Sequence, residues 1–242
     1  MELGGVHLWL TRLDRATDPG LLQAYRDLLA PAERDRLDAI RLEPRRREYL
    51  FTRALVRTVL SRYGASPPAQ WRFAQGPHGR PELDPPAALQ FNISNSPGLV
   101  GCAVSRGAVG LDLEPRNRAG QILRLAARVL SWEERRALDA LPADARADRA
   151  LSLWTLKEAY LKARGLGISV PLGDITFSLA APSGVGLALG PSLADDPARW
   201  HLALRDHAGH RLALCADAPL RLAAWETMPL VPGSDRPLLL AG

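Results

Sequence analysis

LSLWTLKEAYLKARGLG, residues 151–167, holds both lysines of a 242-residue chain, Lys157 and Lys162, although 31 of its residues are Lys or Arg. Where nearly every cation is written as arginine, two lysines in one window mark a place that calls for a compact ammonium rather than a planar fork, and a phosphate site is such a place. Glu158 followed by Lys162 is also an ordinary i,i+4 helix pair, worth about 0.3 kcal/mol on an exposed surface. Leu153, Trp154 and Leu161 form an apolar stripe that reads as core packing. Gly165 and Gly167 stop the helix.

The same arrangement occurs earlier in the chain. LAPAERDRLDAI (29–40), an Arg-rich connection and EYLFTRALVRTVLSRYG (48–64) resemble LSWEERRALDAL (130–141), ADARADRA and the quoted stretch. The offset of about 100 residues is far longer than a solenoid period and implies two similar halves. VHLWLTRLD opens the first half and AVGLDLEP the second, both with strand alternation. Further strands are expected at 70–75, 89–94, 98–105, 174–180, 199–205 and 210–216. The fold class is α+β: two pseudo-symmetric subdomains, 1–107 and 108–242, each a small, mostly antiparallel sheet packed on a long helix. Segments 75–86 and 169–175 read as loops, and a Pro/Gly-rich tail from about 229 is expected to be poorly ordered or draped on the surface.

Composition narrows the class. The chain is long enough to bury a core without staples. Cys102 and Cys215 lie far apart in apolar, strand-like runs, as reduced buried thiols do in a cytoplasm. Charge interrupts MELGGVHLWLTRLDR, and no apolar run approaches a membrane span, so a soluble, cytoplasmic protein with no membrane partner is expected. The net charge of +5 and pI near 9.7 call for at least one acidic partner. Scattered arginines without an aromatic platform or a groove-reading helix argue against nucleic acid.

Val109-Gly110-Leu111-Asp112-Leu113-Glu114-Pro115 carries the chemistry. On a strand, Gly110, Asp112 and Glu114 share one face, with the glycine leaving room for a ligand to come close. A lone D-x-E is most often a solvated strand face. If the long helix crosses this strand, Glu158 joins the pair, and three carboxylates together call for a hard cation such as Mg²⁺ completed by phosphate oxygens. Lys157 and Lys162 would then neutralise the phosphates, the mixture of acids and bases that phosphoryl transfer needs.

FNISNSPGLVGCAVS, GLDLEP and WTLKEAYLKARGLGI, in this order between about residues 45 and 180, resemble the signature blocks of the 4′-phosphopantetheinyl transferases, in particular the long, two-lobed Sfp type. The resemblance implies that family's fold and transfer of the phosphopantetheine arm of coenzyme A to a serine of acyl or peptidyl carrier proteins, releasing adenosine 3′,5′-bisphosphate. By similarity, Asp112, Glu114 and Glu158 would bind Mg²⁺, and Asp112, Glu158 and Lys162 would carry catalysis. Glu158, directly or through a metal-bound water, would be the general base, and Lys162, more distantly Lys157, would stabilise the leaving pyrophosphate side. Arg45 (or Arg46 or Arg47) and Arg53 match positions that hold the 3′-phosphate. Arg80 stands in a Gly-Lys-Pro-like segment touching adenine and phosphates. Ser94 matches, whereas Asn95 replaces a histidine that bonds a phosphate, keeping a donor without its charge. Internal duplication implies a monomer. The alternative is a catalytically silent coenzyme A or carrier-protein binding module of the same fold.

Overall fold

The computed structural model describes residues 1–167, 170–180 and 184–240. It divides the chain into two compact units, one formed by Met1–Arg106 with Arg221–Leu239, the other by Gly107–Leu220.

The first unit starts with β1 (Val6–Arg12), followed by helices α1 (Pro19–Asp27), α2 (Pro31–Ala39) and α3 (Glu43–Leu60). The small hairpin of β2 (Phe73–Gln75) and β3 (Pro81–Leu83) precedes β4 (Gln90–Ser96) and β5 (Leu99–Ser105). Apolar residues Phe51, Ala54, Leu55 and Val59 recur at helical spacing on α3 and pack with Trp9, Val100, Cys102 and Val104 in the buried core. The helix begins at Glu43, earlier than expected. Pro44 sits in its first turn, where its missing N–H costs nothing, so the arginine run counted as a connection is helical.

The second unit contains β6 (Val109–Pro115), α4 (Ala119–Val129), α5 (Trp132–Asp139) and α6 (Ala143–Arg164), then β7 (Ile175–Ala180), β8 (Gly184–Leu189), β9 (His201–His207) and β10 (His210–Ala216). Here too the expected connection, 143–150, is the start of the long helix. The expected loop at 169–175 starts outside the described residues, and a 3₁₀ turn at Leu172–Asp174 leads into β7. The central sheet is ordered β6-β10-β9 and is antiparallel throughout, with Asp112 opposite Ala213 and Glu114 opposite Arg211. Helix α6 lies directly on β6. A Cβ on Gly110 would stand 2.0 Å from the carbonyl oxygen of Ala159 and 2.4 Å from the amide of Ala163. The glycine therefore admits the helix backbone, not a ligand. Gly165, at φ 67°, ends α6 in the left-handed conformation.

The chain then returns to the first unit, which corrects the 108–242 boundary. β11 (Leu222–Glu226) pairs parallel with β1 and β12 (Arg236–Pro237) pairs with β11, giving a sheet ordered β12-β11-β1-β5-β4. The tail from about 229 is likewise tied down. Arg62 forms an ion pair with Asp235 at 2.5 Å, and the Thr227 hydroxyl donates to Asp235 at 2.6 Å. The order of this tail comes from the pairing of β12 with β11 and from Arg62, 173 residues before Asp235 in the chain, neither of which its own composition shows. No described helix is long and apolar enough to cross a membrane.

Candidate functional site

On α6, Trp154, Glu158 and Lys162 are spaced four residues apart and so share one face. With Ala159 and Ala163 seated on Gly110, that face meets the Asp112/Glu114 side of β6. The Lys162 ammonium donates to Asp112 Oδ1 at 2.6 Å, and the Trp154 indole N–H to Glu114 Oε1 at 2.8 Å. Arg118, in the 3₁₀ turn leading into α4, donates through Nη1 to both oxygens of Glu114, at 2.8 and 2.6 Å. Asp112 and Glu114 are buried, and the oxygen Oε1 of Glu158 is buried without a hydrogen-bond partner.

This packing raises the carboxyls. Burial, reinforced by the charge of Asp112, pushes Glu158 up to about 7, against the opposing pull of Lys162 and Arg118. Glu114 is raised for the same first two reasons. A buried orphan oxygen beside mutually repelling carboxylates is a donor set that fits a hard cation of the Mg²⁺ type. Among the described residues, however, no group is already gathered as a metal cage. Positive charge is supplied instead by Lys162 on Asp112 and Arg118 on Glu114.

Two of these residues escaped the sequence reading. Trp154 was assigned to packing, yet it stands one turn before Glu158 on the same face, which was the available signal. Arg118 follows Glu114 by four residues but across a turn, so no regular spacing marked it.

Lys157 is the main correction. Its side chain is fully buried and its ammonium lies 2.7 Å from Glu134 Oε2. It also donates to the carbonyls of Leu172 at 2.7 Å and Ile175 at 2.5 Å. Burial lowers its proton affinity, partly offset by Glu134. All three of its donors are committed to the fold, so it is not a ligand for coenzyme A. Glu134 in turn accepts from the backbone amides of Ser131 and Phe177, each at 2.8 Å.

The first unit has a cleft of about 650 Å³ between α2, α3, β4 and the β2–β3 hairpin, lined by Arg36, Arg45, Arg53, Glu48, Phe73 and Asn95 among others. Of the three adjacent arginines, Arg45 lines it, 3.3 Å from Glu48, whereas Arg46 pairs with Glu43 and Arg47 donates to the carbonyls of Leu13 and Ala16. Arg53 lies 3.4 Å from Glu33, and its Nη1 is buried without an acceptor. An unspent guanidinium donor at the wall of a cleft suits an anion. Arg36, unremarked in the sequence, adds a third cation.

Two expected contacts are turned elsewhere. Gly79 and Pro81 line the cleft, but Arg80 between them borders a smaller cavity and donates to the carbonyl of Phe91 at 3.4 Å. On β4, Asn95 lines the cleft, with its amide 3.5 Å from Glu48, while strand alternation puts the buried Ser94 on the opposite face.

Comparison with known proteins adds a family. A model described as the 4′-phosphopantetheinyl transferase superfamily matches residues 108–215. The 4′-phosphopantetheinyl transferase HetI of Nostoc sp. is 32% identical over 191 residues, covering 77% of this chain and 79% of its own. The 4′-phosphopantetheinyl transferase Sfp of Bacillus subtilis is 26% identical over 219 residues, covering 90% and 93%. A solved holo-[acyl-carrier-protein] synthase of Neisseria meningitidis overlays 45% of this chain and 95% of its own, at a TM-score of 0.40 and 21% identity.

Proposed function

The chain belongs to the 4′-phosphopantetheinyl transferase superfamily, and from that premise we propose that it moves the phosphopantetheine arm of coenzyme A onto a serine of acyl or peptidyl carrier proteins. The observation that carries the reading is the meeting of Asp112, Glu158 and Lys162 on one face of the second unit, with the Glu158 carboxyl near 7.

As a carboxylate on this face, Glu158 is placed to accept the proton, directly or through a metal-bound water. Glu158 takes the proton of the carrier serine as its Oγ bonds to the β-phosphorus of coenzyme A. The bond from that phosphorus to the bridging oxygen breaks, and adenosine 3′,5′-bisphosphate departs with the oxygen. Lys162 donates to the phosphate oxygens on which charge gathers. The indole of Trp154 holds the Glu114 carboxylate in place, a positioning role. Asp112, Glu114 and Glu158 would hold Mg²⁺, which supplies charge neutralisation of the pyrophosphate when bound.

In the first unit, Arg45 and Arg53 are the candidates for the 3′-phosphate, with Arg36 beside them. The +5 charge suits acidic carrier surfaces. We read the enzyme as a monomer, because duplication puts both halves in one chain, and as cytoplasmic, because Cys102 and Cys215 are both free and buried.

The test is intact-mass spectrometry of a panel of apo-carrier proteins incubated with coenzyme A and Mg²⁺, with an EDTA control. The wild type should add one phosphopantetheine arm to a carrier, and Glu158→Gln should slow this by about a hundredfold or more. Coenzyme A binding with no arm added to any carrier would replace the reading with that of a silent binding module.

A further inference from the structure

We infer that Arg118 is an internal counter-ion that occupies Glu114 in the metal-free protein and must leave it when a divalent cation binds, so that this guanidinium sets the affinity of the acidic face for metal. The inference rests on the reading of Asp112, Glu114 and Glu158 as metal ligands.

The contacts of Glu114 carry it. Oε1 accepts both from the Trp154 indole at 2.8 Å and from Arg118 at 2.8 Å, and Oε2 accepts from Arg118 at 2.6 Å. An ionised carboxylate has about four lone-pair directions, so three of them are spent. A small divalent ion binds oxygen at about 2.0–2.1 Å and demands near-octahedral freedom around it. A guanidinium on the same two oxygens competes by position and by like charge.

Exposure decides which partner moves. The Arg118 side chain is 38% exposed and that of Glu114 only 8%, so the arginine has solvent to swing into and the carboxylate does not. Trp154 belongs to α6, which is packed on β6, and stays to keep the carboxylate aimed. Lys162, on Asp112, is held from the same helix and is the cation that remains for phosphate. Arg118 instead sits in the turn before α4 and is not held by α6 itself.

The experiment is isothermal titration of substrate-free protein with Mn²⁺, comparing wild type, Arg118→Gln, Arg118→Lys and, as a control for lost surface charge, Arg124→Gln on the exposed side of α4. Circular dichroism checks that each variant is folded. Arg118→Gln should bind Mn²⁺ about three- to fivefold more tightly, the upper part of the range that removal of one partly exposed ion pair supplies. Arg118→Lys should fall between it and wild type, and Arg124→Gln should stay within about twofold. If Arg118→Gln binds no more tightly than Arg124→Gln, the counter-ion inference is overturned while the metal site stands. If neither wild type nor Arg118→Gln binds Mn²⁺, alone or when the titration is repeated with coenzyme A present to complete the site with phosphate oxygens, the metal reading falls and the inference with it.

Discussion

Glu33 in the first unit and Glu134 in the second occupy the same place in the repeat, the third position of a short helix. Each closes the start of its helix, Glu33 by accepting from the amide of Ala30 at 3.0 Å and Glu134 from that of Ser131 at 2.8 Å. Each then reaches a buried cation on the following long helix, Arg57 at 2.5 Å in one case and Lys157 at 2.7 Å in the other. The sheets correspond as well, β1-β5-β4 to β6-β10-β9. What differs is the strand face beneath. One repeat apart, β1 carries Trp9 and Thr11 where β6 carries Gly110 and Asp112, and α3 carries Thr58 after Arg57 where α6 carries Glu158 after Lys157. The duplicated scaffold keeps its structural ion pair, and the chemistry depends on the residues in which the second copy departs from the first.

That comparison breaks if Lys157 serves the substrate. As the counterpart of Arg57 it should be structural, so Lys157→Ala, which strands Glu134 without a cation, should cost about 3–5 kcal/mol in urea denaturation. Arg57→Ala, which removes donors from Glu33 and from the carbonyls of Pro68 and Trp71, should be comparably damaging. Unchanged stability of Lys157→Ala with only a raised KM for coenzyme A would restore the phosphate role and end the equivalence.

Gly110 tests the other side of the comparison. A methyl at this position would stand 2.0 Å from the Ala159 carbonyl oxygen, and the backbone of α6 cannot yield as a flexible side chain would. Gly110→Ala should cost about 3 kcal/mol and lower transfer together with it, because the same shift moves Glu158 and Lys162 away from Asp112. The first unit tolerates bulk at the matching place: Trp9 is buried there, stacked on Trp225 at 4.5 Å, while α3 packs mainly on β5. Equal stability of Gly110→Ala and wild type, measured by thermal unfolding, would show that the helix does not depend on this close approach.

Much of this was legible in the sequence, for identifiable reasons. Strand alternation put Asp112 and Glu114 on one face, and helical spacing put Glu158 and Lys162 on another, because both periods are local. Lys157 was misread because rarity of a residue type says nothing about burial, and its partner Glu134 lies on a different helix. β11 was missed because LAAWE gains its order from β1, and parallel pairing across most of the chain leaves no local trace. Arg80 and Ser94 were placed by motif, whereas the direction of a side chain in a loop or on a strand edge is set by its neighbours. Within the arginine run 45–47, sequence left the choice open, and the packing of Arg46 and Arg47 elsewhere leaves Arg45 at the cleft.

A last effect sharpens the comparison at its centre, where the second unit buries a carboxyl and the first has Thr58. Glu158 sits near 7 in the folded protein, against an ordinary value of 4.5, because burial and the charge of Asp112 outweigh Lys162 and Arg118, with Glu114 adding to the rise. A raised folded value means that the folded state holds the proton more tightly than the unfolded chain. Without metal, stability should therefore fall as pH rises from about 4.5 to about 7, and this contribution should stay flat above. Glu158→Gln removes the ionisation and should be about 3 kcal/mol more stable than wild type at pH 8 in EDTA, converging with it near pH 4.5. Urea midpoints across that range measure the difference. A variant whose pH slope matches that of wild type would mean that Glu158 ionises at no cost, and that the acidic face of β6 and α6 is as well solvated as an ordinary strand edge.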